Sequence, residues 1–427
     1  MLFLPLAAQA QSMKTPFEFR DADAGTIGAD RYARQRLIPG WRQECLAQAR
    51  VLVVGAGALG NEVIKNLALL GVGKICIVDF DHVEVSNLAR CVLFRAGDVG
   101  HNKAQAAARA AMDLNPDVDV SALHGDIGSE MGEGELRSYD LVLGCLDSIA
   151  ARWALNRLCR RAGVAWWNGG MSASIGQVSL HAPQTGACYE CTMTRSMWQR
   201  MNERRSCLLA GKLLDESLPQ AASVLPASWT AAVLVQQAIA GLANDAQSRA
   251  SALQPGQMLS TDLVRNEMQV IPLRQNPICA VHAADREWIA PAIFLTAAPQ
   301  AICVEDVLRA VPDALAWLPR QELVTGLECA ACGTEPMRIP LRHLRRQDLA
   351  CPRCAVVRLP VLAQTVQRGS ALAQEKLHRL GVPHQAILDV QTGQGIRRVE
   401  LTVPRPDIET QVQGMQPVTT QAGVGAE

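Results

Sequence analysis

Residues 51–81 read VLVVGAGALGNEVIKNLALLGVGKICIVDFD, and this stretch decides the fold. Val51–Val54 is a short, wholly apolar run ending in glycines, as expected of a strand buried on both faces of a parallel sheet. Apolar residues then recur with helical spacing through NEVIKNLALLGV, and KICIVDFD returns to a strand pattern. Between the first strand and the helix stands Gly55-Ala56-Gly57-Ala58-Leu59-Gly60. Glycines in that context allow a tight turn and close backbone approach to phosphates, and the helix N-terminus favours negative charge. Asp79 ends the second strand nineteen residues after Gly60, where a carboxylate can bind both ribose hydroxyls. Taken alone, this unit suits a nicotinamide or flavin enzyme as well as any other nucleotide binder.

Working outward, HNKAQAAARAAMDLNP reads as a helix with its Asn-Pro stop, and VDVSALHGD, YDLVLGCLD and VAWWNGG as further strands. Such alternation implies a doubly wound α/β domain with a mostly parallel sheet, over residues 30–289. Residues 195–225 break the pattern as a long crossover loop, after which TAAVLVQQAIAGLA resumes as an amphipathic helix. Beyond residue 290 arginine and proline rise, marking a smaller C-terminal domain, 290–410, with a cysteine-bearing module at 325–358. The segment LHRLGVPHQAILDV followed by IRRVELTV reads as a helix and hairpin completing it. Residues 1–29 form a leader without fixed structure: MLFLPLAAQAQS has a signal-like apolar run but no basic start, and Met13 comes directly after it. Residues 411–427, rich in Gln, Gly and Thr, read as a disordered tail.

At 427 residues the chain exceeds one ordinary domain. Its 41 basic and 41 acidic residues cancel, which gives no support to nucleic acid or anionic membrane as a partner. No apolar run in the sequence is long enough to span a bilayer. Scattered thiols such as Cys76 and Cys145, set in apolar segments, suit a reduced, cytoplasmic protein.

Beyond the second strand the chain departs from a dehydrogenase pattern. Asp79-Phe80-Asp81 leads to Ser86-Asn87-Leu88-Ala89-Arg90 and then Asp98-Val99-Gly100-His101-Asn102-Lys103. An amide and two cations so close to a ribose-binding strand suit a triphosphate, and Asp81 beside Asp79 is a further candidate for the nucleotide site. Cys145-Leu146-Asp147 ends a later strand at the same sheet edge, where the Asp147 carboxylate can hold Mg²⁺. Each of Arg90, Lys103 and Asp147 also reads as a solvated surface charge; their order along the chain is what suggests a site.

This ordered set resembles the Rossmann-like adenylation domain shared by MoeB, ThiF and ubiquitin-activating enzymes, over roughly residues 30–285. Arg31-Tyr32-Ala33-Arg34-Gln35 resembles the segment preceding that domain. The resemblance implies ATP bound over Gly55, Gly57 and Gly60, with Asp79 at the ribose, Asn87, Arg90 and Lys103 at the phosphates, and Asp147 on Mg²⁺. It implies that Arg34 reaches the phosphates of a partner protomer, hence a homodimer. Two positions depart from the pattern: Cys91 stands where glutamine is common, and Ser148 where asparagine is common. Adenylation asks for little covalent help, because the acceptor carboxylate is already a nucleophile; positioning and charge neutralisation supply the rate.

Cys188-Tyr-Glu-Cys191 and Cys279-Ala-Val-His282 together make a closed tetrahedral set, implying a structural zinc. Cys329-x-x-Cys332 and Cys351-x-x-Cys354, eighteen residues apart, carry a zinc-ribbon spacing. The arginines nearby, Arg338, Arg342, Arg345, Arg346 and Arg353, read as a basic face or as solvated charge. The C-terminal part also resembles that of bacterial activating enzymes encoded with conjugation components, of the BilD type. Cys207 lies outside both metal sets in Arg204-Arg205-Ser206-Cys207, where the arginines favour a thiolate. Such a thiolate can attack an acyl-adenylate, and the resemblance places that step on a cysteine of this loop. Cys45, Cys91, Cys159 and Cys303 lack this context. The expected function is therefore adenylation of a ubiquitin-like protein, thioester formation at Cys207 and transfer to a conjugating enzyme. The rivals are a sulfur-carrier adenylyltransferase that stops at the adenylate, a nicotinamide oxidoreductase, and a non-enzymatic zinc-ribbon adaptor.

Overall fold

The computed structural model describes residues 30–201, 223–242, 252–282 and 291–406. The leader 1–29, Cys207 with most of the segment 195–225, and the tail 411–427 lie outside the described residues. At the described ends of that segment, residues 195–201 and 224–225 are helical and not the loop expected there. By internal packing the chain divides into two units, Met1–Gln43 and Glu44–Glu427. In the first, Arg34 is exposed and directly precedes a single 3-10 turn, Gln35–Leu37.

The second unit is built on an eight-stranded sheet of order β3-β2-β1-β4-β5-β6-β7-β8. The first four strands in sequence are β1 (Arg50–Val54), β2 (Lys74–Asp79), β3 (Asp119–His124) and β4 (Leu141–Gly144). The next four are β5 (Trp166–Met171), β6 (Ile175–His181), β7 (Gln257–Asp262) and β8 (Glu267–Pro272). Strands β3, β2, β1, β4 and β5 are parallel neighbours. The expectation of a mostly parallel sheet stops there, because β6, β7 and β8 extend it antiparallel. The connections explain the change: β5–β6 and β7–β8 are joined by short turns, which permit only antiparallel pairing.

Side chains alternate across β1 and β2, so both faces must be covered. Leu52, Val54, Cys76 and Val78 pack with Leu155, Leu158 and Cys159 of helix α3 (Ile149–Ala162). Val51, Val53, Ile75 and Ile77, equally buried, point to the other face. There α1 (Ala58–Leu70) packs against α2 (Lys103–Leu114) and α4 (Val224–Leu242). Contrary to the expectation that no apolar run is long enough to span a bilayer, α4 is, among the described residues, long and apolar enough by length and composition, with mean hydropathy 1.2. Its Thr230, Ala231, Leu234, Val235 and Ala238 are instead buried against α1, β5 and β6.

Two further sheets complete the unit. A five-stranded sheet has order β14-β10-β15-β16-β9. Its strands are β9 (Ile293–Leu295), β10 (Ala314–Leu318), β14 (Val366–Gln367), β15 (Ile387–Thr392) and β16 (Gly395–Leu401). Val304, Val307 and Leu308 of helix α5 (Val304–Ala310) fill its core with Trp317, Leu388, Val390 and Val399. A three-stranded antiparallel sheet, β12-β11-β13, comprises β11 (Leu323–Cys329), β12 (Gly333–Pro340) and β13 (Leu359–Ala363). The helix expected in LHRLGVPHQAILDV is only a 3-10 turn, Leu377–Leu380, because Gly381 turns left-handed at φ 73° and Pro383 comes soon after. Its hairpin, β15–β16, belongs to the five-stranded sheet and not to the cysteine module.

These sheets are locked to the main one by charge. Glu133 is fully buried and accepts from Arg161 Nε at 2.8 Å, from the Ile387 N–H at 2.8 Å, and from Arg320. Arg161 also reaches Asp389 Oδ2 at 2.7 Å, and Arg137 reaches Glu400 Oε1 at 2.7 Å. Gly132 allows the chains to touch, since a Cβ there would lie 2.0 Å from His384 O. Removing one member of such a buried cluster strands the others, at a cost of roughly 3–5 kcal/mol. Glu133→Ala is therefore expected to lower the urea midpoint sharply. An unchanged midpoint would show that this junction contributes little.

Candidate nucleotide site and metal centres

The glycine turn lies where β1 and β4 are neighbours and the chain departs to opposite sides of the sheet, the switch point at which open α/β sheets bind ligands. Gly55 holds φ +98°, and a Cβ there would lie 2.5 Å from Cys145 O. At Gly60 a Cβ would fall 1.9 Å from Gly55 O, so α1 meets β1 backbone to backbone. A Cβ at Gly57 would meet nothing within 4 Å, so the turn is open on that side.

Asp79, at the end of β2, accepts the Ala56 N–H at 2.7 Å and the Asp81 N–H at 2.8 Å. Burial pushes its carboxyl above the ordinary range, against the pull of those two donors and of Lys103. Lys103 opens α2 with its side chain 14% exposed, and its Nζ is 2.8 Å from Asp81 Oδ2. Burial disfavours its charge, but the Asp81 hydrogen bond and the fields of Asp79, Asp81 and Asp147 outweigh burial and hold its pKa above the usual lysine value. Lys103 is thus a fixed cation at the mouth of the sheet. Asn87 is buried in a 3-10 turn, its Oδ1 accepting the Glu84 N–H at 3.0 Å. Arg90 donates from Nη1 to Ser86 O at 2.6 Å, and Asp147 is exposed beyond β4.

Three residues essential to this geometry carry no motif in the sequence that marks them as site residues. Asn102 donates from Nδ2 to both Asp79 O and Asp81 O at 3.0 Å and caps α2 by accepting the Gln105 N–H at 3.2 Å. An asparagine directly before a helix is a legible cap, though its other two bonds are not. Arg152 of α3 holds Leu146 O beside Asp147 and bonds Asn168 Oδ1 at 3.1 Å. Asn61, fully buried, ties the glycine turn to the segment after Arg90.

Both sets of metal-ligand residues assemble. The ligand atoms of Cys188, Cys191, Cys279 and His282 lie within 4.8 Å of one another, as do those of Cys329, Cys332, Cys351 and Cys354. Cys188 Sγ is 3.8 Å from the sulfurs of both Cys191 and Cys279. Bonds of about 2.3 Å in a tetrahedron give sulfur–sulfur edges of about 3.8 Å, so this set can hold a metal ion without rearrangement. In the second set Cys354 Sγ is 3.5 Å from both Cys329 and Cys332, slightly compact for the same polyhedron. The first knuckle is seated on α3: Asn156 Oδ1 accepts the Tyr189 N–H at 3.1 Å, and Arg157 grips Glu190 through two bonds. Of the arginines around the second set, Arg338 and Arg342 are engaged by Glu375 and Asp126. Of the four weaker nucleophile candidates, Cys91 and Cys159 are buried and Cys45 and Cys303 half-buried, and burial pushes the Cys91 thiol up to about 11.

A glycine turn at a sheet switch point, a carboxylate ending the next strand and a half-buried lysine opening the following helix are the arrangement of a nucleotide-binding type of α/β domain. The chain belongs to the ThiF family, whose model matches residues 30–281. SUMO-activating enzyme subunit 2 of Dictyostelium discoideum is 41% identical over 143 residues, 33% of this chain and 22% of that protein. The sulfur carrier protein adenylyltransferase of Thermus thermophilus is 34% identical over 260 residues, covering 59% of this chain and 90% of the relative. The SAMP-activating enzyme E1 of Haloferax volcanii is 31% identical over 59% of this chain and 88% of its own length. Against the SUMO-activating subunits of D. discoideum and Caenorhabditis elegans, this chain spans only 22% and 27% of the relatives' length. Among solved structures, E. coli MccB crystallised with ATP aligns over 60% of this chain and 75% of its own, at 23% identity and TM-score 0.48.

One buried histidine gives the domain a pH signature. His181 lies on β6 between Ser179 Oγ and Ala187 O, each at 3.0 Å, and burial drives its pKa from 6.5 down to about 4. A histidine depressed in the folded state is neutral in both states above its unfolded pKa. Stability is therefore full above about pH 6.5 and is lost as pH falls towards 4, where only the unfolded chain takes the proton. Urea titrations across that window should show a steeper acid loss for the wild type than for His181→Asn; parallel curves would remove His181 as the cause.

Proposed function

We propose that this protein uses ATP to adenylate the C-terminal carboxylate of a small ubiquitin-like protein. The observation that carries the reading is the arrangement at the open end of β2: Asp79 pinned by the Ala56 N–H, and Lys103 held charged beside Asp81 and near Asp147. ThiF-family membership favours adenylation over a nicotinamide reaction or a scaffold without activity. In this reading Asp79 takes the ribose, while Asn87, Arg90, Lys103 and the turn at Gly55, Gly57 and Gly60 take the phosphates. The substrate carboxylate attacks the α-phosphorus, the α–β bridging bond breaks, and pyrophosphate leaves with the bond's electron pair. Lys103 and Arg90 neutralise that departing charge. Asp147 would hold Mg²⁺, which supplies further charge neutralisation when bound. Arg34 completes the site of a partner protomer in a homodimer.

The reading continues with transfer. A thiolate at Cys207 attacks the acyl carbon of the adenylate, AMP leaves, and the modifier is held as a thioester for a conjugating enzyme. A second reading stops at the adenylate, as in a sulfur-carrier adenylyltransferase. The match over 90% of the T. thermophilus enzyme favours it. Both readings place the protein in the cytoplasm. One experiment separates them, given a candidate small protein. Pyrophosphate should exchange into ATP with wild type and not with Asp147→Ala; full exchange by that variant removes Asp147 from the site. A covalent adduct that thiol cleaves, present in wild type and lost in Cys207→Ala with exchange retained, supports conjugation. Robust exchange without an adduct supports the sulfur-carrier reading.

We further infer that zinc occupies both tetrahedral sets, through Cys188, Cys191, Cys279 and His282 and through Cys329, Cys332, Cys351 and Cys354. Thiolate-rich tetrahedra select zinc over harder cations. Elemental analysis of gently purified protein should give about two zinc ions per chain. A metal-free yet fully folded protein would overturn both assignments.

A further inference from the structure

Asn61 is the first residue after the glycine turn, and its side chain has no surface exposure. Its Nδ2 donates to Ala56 O at 2.6 Å and to Gly57 O at 3.2 Å, while its Oδ1 accepts the Leu93 N–H at 2.9 Å. One buried amide therefore satisfies three backbone groups from two separate segments. Peptide geometry then dictates the orientation of the turn. In a planar trans peptide the C=O of one residue and the N–H of the next point in opposite directions. Drawing Ala56 O and Gly57 O inward towards Asn61 turns the N–H groups of Gly57 and Ala58 outward, away from α1. Gly57 itself has open space beside it, since a Cβ there would meet nothing within 4 Å.

The third bond links this loop to the cationic segment. Leu93 is buried three residues beyond Arg90. That stretch is a run of tight turns, with Arg90 N and Cys91 N both donating to Asn87 O and Phe94 N to Cys91 O. Fixing Leu93 to the glycine turn thus sets the position of Arg90 and Asn87 relative to the outward N–H groups.

We propose that Asn61 is a positioning residue for the nucleotide phosphates: it orients the Gly57 and Ala58 N–H donors and holds the Asn87–Arg90 segment in register with them. This rests on the ATP reading above. Asn61 touches no substrate and acts only through the backbone it holds. Aspartate at this position keeps the acceptor for Leu93 but sets a carboxylate oxygen against two carbonyls, so the turn's peptides are no longer drawn inward. Serine is too short to bridge the two segments.

The test is Mg²⁺–ATP binding by calorimetry on the full-length protein, with the thermal midpoint recorded for every variant. Val63→Ala, a fully buried core position on the same helix, provides a control of comparable destabilisation. Asn61→Asp and Asn61→Ser are expected to weaken ATP binding by about tenfold or more, while Val63→Ala binds as wild type at a similar midpoint. Should one Asn61 variant fail to fold, the other decides. If the Asn61 variants bind ATP as the Val63 control does, the positioning role is wrong and Asn61 only stabilises the fold. If wild type itself binds no ATP while folded, the ATP reading fails first.

Discussion

The candidate nucleotide site depends on two missing methyl groups. Gly60 sits so close to Gly55 O, and Gly55 to Cys145 O, that β1, β4 and the first turn of α1 converge on one point of backbone. A side chain at Gly55 would collide with the backbone just past β4, and one at Gly60 would push α1 off the sheet. With it would go a chain of short bonds: Ala56 N–H to Asp79, Asp79 O to Asn102, and Asn102 to the start of α2, where Lys103 stands. The charged groups are held by backbone packing rather than by one another. Lys103 and Asp81 form an ion pair, but what places the lysine is the cap beneath it.

This explains which parts of the site were legible in the sequence. Glycine spacing, strand-terminal carboxylates and Cys-x-x-Cys pairs advertise themselves because each is a local pattern with a local cause. The two halves of the first metal set are 91 residues apart, yet each half reads alone. Asn61 and Arg152 carry no such pattern, since all of Asn61's partners and two of Arg152's are backbone groups that every residue possesses. The amide of Asn61 becomes meaningful only once the fold brings Leu93 over it. The antiparallel extension β6–β8 and the hairpin's membership of the five-stranded sheet were likewise invisible. Pairing partners depend on how sheets close, not on the periodicity of a strand.

Helix α3 connects the two kinds of site. Its N-terminal turn begins at Ser148, beside Asp147, and Arg152 fixes the Leu146 carbonyl there; two turns on, Asn156, Arg157 and Glu190 seat the first cysteine knuckle. The tetrahedral set thus braces the middle of the helix whose N-terminal end frames the sheet edge. The candidate nucleotide site and the first candidate metal set share one helix.

Glu133 bears on the way the molecule is made. The N–H it accepts from Ile387 lies 254 residues later in the chain. While the first sheet is being synthesised its carboxylate has Arg161 within reach, but Arg320, Ile387 and the Asp389 that shares Arg161 have not yet emerged. Contacts so distant in sequence form late, because the loop they close must first exist. In the finished fold Glu133 is closed over by residues from the C-terminal sheet, so that edge of the main sheet is completed by the part of the chain made last.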